Sequence, residues 1–162
     1  YMATQHLLQN GHKNILGLFR MRYKDSEFRR SGYEQAMQEA GLKPYLLDAD
    51  VASSEQIIKA ITESGVTAIV CYNDLLALDC YHLCAKVGLI VGEDISIVGY
   101  DNTILAESTL PKMTSITHPK ESMGVKVAGI LHEMINGTVS ESYRFMYTPD
   151  LVERMSVKNL TE

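Results

Sequence analysis

Four short apolar runs, each followed by a stretch of helical periodicity, constrain this chain more than any other feature. The runs are KNILGLF (13–19), PYLLDAD (44–50), TAIV (67–70) and SIVG (96–99). Between them, EFRRSGYEQAMQEAGL places Phe28, Tyr33, Ala36, Met37 and Ala40 near helical spacing, and Gly41 stops the helix. Ser53 or Ser54 caps the next helix, and Ser53 with Gln56 forms a weak capping box. Ile57, Ile58, Ala60 and Ile61 supply its apolar side, and Gly65 closes it. A third helix spans 75–87 before Gly88. Strand and helix thus alternate four times at spacings of roughly 25 to 35 residues, the pattern of a parallel sheet with helices on both faces. Strands covered on both faces read as continuous apolar runs, as these do. The fold class read from the sequence is α/β with a doubly wound parallel sheet.

The two ends of the chain depart from that repeat. YMATQHLLQNGH reads as a helix already under way, with Met2, Leu7 and Leu8 on one face and Gly11 as its stop. With no initiator Met, the chain reads as cut from a longer protein on its N-terminal side. After Asn102, residues 103–112 read as a loop with one apolar turn, and MTSITHP as an alternating strand stopped by Pro119. KESMGVKVAGILHEMINGT is a helix lined by Met123, Val127, Ile130, Leu131, Met134 and Ile135. YRFMYTPDLVERMSV gives one or two further strands around Pro149. This tail does not continue the first sheet simply, and part of it fits a second lobe.

Composition narrows the function classes. The chain has 162 residues and a net charge of −5, from 15 basic against 20 acidic residues, which argues against this segment gripping nucleic acid. No apolar run approaches the roughly 18 residues of a membrane span, and no signal peptide is visible. Cys71, Cys80 and Cys84 are odd in number, with Cys80 and Cys84 on one helix face. No histidine cluster or Cys-x-x-Cys accompanies them, so they read as reduced thiols of a cytoplasmic core rather than metal ligands. No metal or other cofactor is expected.

Chemistry concentrates at two strand ends. Tyr100, Asp101 and Asn102 follow the run SIVG, and Tyr72, Asn73 and Asp74 follow TAIVC. Open parallel sheets bind ligands just outside the carboxyl ends of their strands. A carboxylate and an amide there suit a small polar ligand. Neither end offers a nucleophile beside a base. Phosphate-cradling glycine loops and a G-x-S-x-G elbow are absent, so no catalytic residue is assigned.

The fragments GHKNI, FRRSGYEQAM, TAIVCYNDLLAL, GEDISIVGYDN, PKMTSITHPKESMGVKVAGIL and PDLVERMSV together resemble the effector-binding core of the lactose/galactose repressor (LacI/GalR) family. The resemblance covers almost the whole chain in order. CYND and THPK give it the flavour of arabinose-repressor-like regulators. It implies a two-lobed clamp like periplasmic sugar-binding proteins, with a sugar-like effector between the lobes. Binding there alters a DNA-binding head N-terminal to the core, a head that lies outside this sequence. Residues 1–112 and about 140–162 correspond to the C-terminal lobe. Residues about 113–138 correspond to a strand and helix of a partly missing N-terminal lobe, so the apolar face of helix 121–135 would lack its usual partners. The implied protein is a cytoplasmic homodimeric repressor. A secreted sugar-binding protein of the same fold, and a doubly wound enzyme, are the rivals.

The resemblance also assigns residues. Arg29 matches an effector-binding arginine, whose fork bridges two hydroxyls or grips a carboxylate; alternatively it is a solvated helix charge beside Arg30. Asp25 matches a weaker polar contact or a helix cap. Asn73 matches a hydroxyl-binding amide, and the pair can divide the work, Asp74 capping the next helix while Asn73 faces the cleft. Asp101 matches the carboxylate that accepts hydroxyl hydrogen bonds, or else makes a turn with Asn102. His118 lies where a crossover strand passes the cleft, and Tyr72 offers a stacking face or a core ring. Leu75, Leu78, Tyr81, Ile104 and Leu105 correspond to dimer contacts and would form an exposed apolar patch.

Overall fold

The computed structural model describes residues 1–138 and 144–161. Its elements run α1 (Met2–Gln9), β1 (Ile15–Phe19), α2 (Lys24–Glu39), β2 (Tyr45–Asp48), α3 (Ser54–Glu63), β3 (Ala68–Cys71), α4 (Asp74–Lys86), β4 (Ser96–Tyr100), α5 (Ile104–Ser108), β5 (Thr114–Thr117), α6 (Lys120–Ile135) and β6 (Asp150–Val152). One six-stranded sheet has the order β2-β1-β3-β4-β5-β6. All neighbouring strands are parallel except β6, which runs antiparallel to β5.

Two apolar layers flank this sheet. Because side chains alternate along a strand, Leu16 and Leu18 point to one layer, and Ile15 and Phe19 to the other. The first layer joins Ile69, Cys71 and Ile97 to Ile57 and Ile61 of α3 and to Leu76, Cys80 and Cys84 of α4. The second joins Val70, Val98 and Ile116 to Leu7 of α1 and to Tyr33 and Met37 of α2. Gly17 is required on that second face, since a Cβ there would stand 2.9 Å from the Tyr33 ring. The Tyr33 hydroxyl donates to the Ile15 carbonyl at 2.8 Å, and burial pushes its pKa up to about 12. Ser53 and Gln56 form the capping box that starts α3. The three cysteines are free and buried.

The structure corrects several sequence expectations. The strand of MTSITHP does not belong to another lobe: β5 lies between β4 and β6 inside this sheet. Its polar pattern misled because Thr114 and Ser115 are buried and spend their hydroxyls on neighbours. Helix α6 has no buried residue, and its Lys126 reaches the Phe145 ring at 4.6 Å. The expected lobe boundary near residue 140 lies outside the described residues. Residues 103–112 contain the short helix α5. Phe28 is 80% exposed rather than packed in α2's core face, because it sits on the solvent side of the first turns. Among the described residues, no helix is long and apolar enough to cross a membrane.

Candidate functional site

The carboxyl ends of β1, β3, β4 and β5 open on one rim, and α2 brings Arg29 over it. Arg29 sits between two rings, its guanidinium carbon 4.4 Å from the centre of Tyr72 and 3.9 Å from that of Tyr100. One nitrogen, Nη1, donates to the Tyr72 carbonyl at 2.6 Å. The other, Nη2, lies 3.7 Å from Asp25 and 3.8 Å from Asp101. A cation sandwiched by aromatic faces and flanked by two carboxylates has few rotamers open to it. The Tyr72 hydroxyl donates to Asp25 at 2.6 Å, and this bond is the main cause that holds the Asp25 carboxyl below its usual range. The same bond raises the Tyr72 phenol. The rings of Tyr100 and His118 stand 5.8 Å apart.

The Asp101 turn is set by a chain of polar contacts behind the rim. Asp101 and Asn102 both have left-handed backbones, with φ of 96° and 43°. The Asp101 amide donates to the Ile116 carbonyl at 2.9 Å, and the Lys120 ammonium donates to the Asp101 carbonyl. The Asn102 amide donates to Ser115 Oγ at 3.1 Å, and Ser115 donates to Asp74 at 2.6 Å. Asp74 is buried and also accepts from the Thr103 amide and hydroxyl, at 2.6 and 2.9 Å. Arg154 reaches in from the C-terminal segment, donating to Asn102 Oδ1 at 2.8 Å and to the Met113 carbonyl at 2.7 Å. Gly99 lets this cluster form, since a Cβ there would strike the Asp74 carboxylate.

The rim therefore gathers Arg29, Asp25, Tyr72, Asp101 and His118 from four separate segments. Asn73 departs from expectation. Its Oδ1 accepts from the Leu76 amide at 3.0 Å, so Asn73 takes the cap of α4 that was read for Asp74, while Asp74 turns inward as the buried hub. The cause is geometric: the cap must precede the first helical residue, which is Asp74. Sequence reasoning missed Tyr100 as a stacking ring, although it stands inside SIVGYDN. It also missed Lys120 and Arg154, whose contacts span distant segments and leave no local signal. Beneath the guanidinium lies a cavity of about 250 Å³, walled by Phe19, Val70, Tyr100 and Ile116 and by the start of α1.

The expected apolar patch is smaller than the sequence suggested. Leu75 and Ile104 are exposed, and Leu78 and Leu105 are half-buried. Tyr81 is not on the surface: it packs in the core and donates its hydroxyl to the Pro111 carbonyl at 3.0 Å.

A family model for periplasmic binding protein-like domains matches residues 4–157. The HTH-type transcriptional repressor PurR of Vibrio atlanticus is 35% identical over 170 residues, covering 99% of this chain and 50% of its own length. The arabinose metabolism transcriptional repressor of Geobacillus stearothermophilus is 33% identical, covering 99% of this chain and 47% of its own. This chain spans about half the length of the curated relatives it matches. Among solved structures, a LacI family transcriptional regulator from Enterococcus faecium with bound ribose superimposes with a TM-score of 0.89 at 27% identity, over 99% of this chain and 62% of its own. A LacI-family regulatory protein from Corynebacterium glutamicum gives 0.82 at 31% identity, over 96% and 62%. The sheet order and these likenesses agree: the chain belongs to the periplasmic binding protein-like domain family and corresponds to the effector-binding part of LacI-type regulators.

Proposed function

We propose that this chain is the ligand-sensing part of a cytoplasmic transcriptional repressor, and that its ligand is a small sugar-like molecule bound at the rim of the sheet. The observation that carries the reading is the placement of Arg29 between the Tyr72 and Tyr100 rings with Asp25 and Asp101 at 3.7 and 3.8 Å. Carboxylates accept from sugar hydroxyls, a guanidinium donates to them, and aromatic faces cover the C–H surface of a sugar ring. Asn73 remains a candidate through its side-chain nitrogen, because the cap uses only its oxygen. The ribose held by the Enterococcus faecium protein supports a pentose-sized ligand here. No reaction is proposed, since the rim brings together binding groups without a nucleophile and base.

In this reading a second lobe closes over the rim, α6 belongs with that lobe, and the effector shifts the balance between two lobe arrangements. The shift biases the affinity of a separate DNA-binding domain for its operator. The exposed Leu75 and Ile104, with the half-buried Leu78 and Leu105, form part of a homodimer contact.

Calorimetric titration with neutral pentoses, hexoses and purines tests the effector, both on this chain and on the longer protein with two lobes. One neutral sugar should bind the two-lobed protein, and the single lobe should bind it far more weakly. Arg29→Lys should weaken that binding about tenfold or more, because an ammonium cannot replace a stacked fork. Tight binding to the single lobe, or indifference of the two-lobed protein to Arg29→Lys, would overturn the reading.

A further inference from the structure

A second pocket, of about 140 Å³, lies between the end of β1 and the first turns of α2. Arg29 and Arg30 are consecutive, so they leave the helix about 100° apart. Arg29 serves the rim already described, whereas Arg30 lines this other pocket. Residues 20–30 hold five of the chain's 15 basic residues, Arg20, Arg22, Lys24, Arg29 and Arg30, in a chain whose net charge is −5.

Three of those cations, Arg22, Lys24 and Arg30, wall the pocket, with the Glu27 carboxylate opposing them. Among the described residues, Arg22 and Lys24 have no ion-pair partner. Arg30 directs Nη1 at the Met21 sulfur, 3.2 Å away, a weak acceptor that a better one would displace. Its Nε has no hydrogen-bond partner and faces Glu34 at 3.7 Å. Ser26 also lines the pocket; it is 1% exposed, and its Oγ has no hydrogen-bond partner. Buried hydroxyls are nearly always paired, so an orphan beside three cations points to an absent acceptor. Ser26 is the third residue of a 16-residue helix, where the aligned peptide dipoles favour negative charge.

We propose that this pocket binds a phosphoryl group, held by the Ser26 hydroxyl and by Arg22, Lys24 and Arg30. A tetrahedral phosphoryl group offers three free oxygens spread in space, enough for all four groups, and with Glu27 opposing them and Glu34 paired to Arg30 the three cations still leave one positive charge in excess. A carboxylate is planar and presents its two oxygens in one plane, a poorer match to donors that come from both sides of the pocket. The phosphoryl group can come from inorganic phosphate or from a phosphate monoester. The site is separate from the sugar rim and stands or falls without it.

The test is amide NMR of the protein titrated at pH 7.5 with sodium phosphate, with ribose 5-phosphate and with ribose, at ionic strength fixed by sodium chloride. Saturable shifts of the Lys24, Ser26 and Arg30 amides are expected with phosphate or its ester below about 10 mM. Equal affinity for both marks free phosphate as the source, and a clear preference for the ester marks a phosphorylated metabolite. The double variant Arg22→Ala with Lys24→Ala should weaken binding about tenfold. Ser26→Ala should weaken it about threefold with no fall in Tm, because the lost oxygen has no partner in the fold. Absence of saturable shifts, or equal affinity in both variants, overturns the proposal. Shifts at Tyr72 and Asp101 with neutral ribose report the sugar rim alone and should be unmoved by Ser26→Ala.

Discussion

Asp74 accepts the Ser115 hydroxyl at 2.6 Å in the interior of the domain, joining the start of α4 to the middle of β5. Two further donors, both from Thr103, converge on the same carboxylate. Asp74→Asn keeps the shape but turns one acceptor into a donor facing another donor. The expected loss is about 2–3 kcal/mol of stability, from urea denaturation at neutral pH. The Asp101 and Asn102 amide signals should move as well, since Ser115 is what links Asp74 to that turn. A loss under about 0.5 kcal/mol would show that the hub is dispensable.

Gly99 is predicted to tolerate no side chain. A methyl group would meet the Asp74 carboxylate and stand 2.7 Å from the Met113 sulfur. Met113 can swing aside, but the carboxylate is fixed by its three donors. Gly99→Ala should therefore cost about 1–3 kcal/mol, measured by thermal unfolding, and the cost should shrink in an Asp74→Ala background.

Tyr72→Phe should release Asp25. The phenol hydrogen bond is the largest influence holding the Asp25 carboxyl below its ordinary value of 3.8, and its removal raises the pKa toward that value. Carboxyl carbon NMR across the acid range reads the change directly. Stability should barely alter, because Asp25 is largely exposed and solvent screens its partners. An unchanged Asp25 titration would show that the backbone amides and Arg29 govern it without the phenol.

Acid should weaken the fold through His12. This imidazole is buried against Thr67, Ser96 and the Lys158 carbonyl, and burial lowers its pKa below the ordinary 6.5. His6 shifts the same way for the same reason. In the window between the lowered folded value and 6.5, the unfolded chain binds more protons, so stability falls as the pH drops through it. Urea midpoints at pH 7.5 and 5.5 should show this decline, and His12→Gln should flatten it. Equal slopes in the wild type and in His12→Gln would assign the acid sensitivity elsewhere.

The parallel sheet was legible because ILGLF, AIVC and SIVGY carry apolar side chains on both faces, a pattern few other elements produce. Strand β5 was not legible as a member of that sheet. Thr and Ser look solvent-facing in a linear sequence, and only the fold brings Asp74 and the Arg154 amide to their hydroxyls. The rim residues Arg29, Tyr72 and Asp101 could be named because strand ends carry ligands in open sheets and because the motifs resembled a known family. The division of labour between Asn73 and Asp74 was hidden, since one step along the chain decides which side chain caps and which turns inward. Phe28 was misjudged because helical spacing alone does not say which side of α2 meets the sheet.

The backbone at Asp101 and Asn102 has a consequence for how this protein can change over generations. L-residues occupy such left-handed conformations at a cost of about 1–3 kcal/mol each, whereas glycine would sit there freely. A lineage drifting toward robustness alone would be drawn to glycine at both positions, and would lose the acid that confronts Arg29. At Asn102 the side chain holds the Arg154 guanidinium, and at Asp101 it faces Arg29, so glycine at either position would exchange backbone comfort for a lost charged contact.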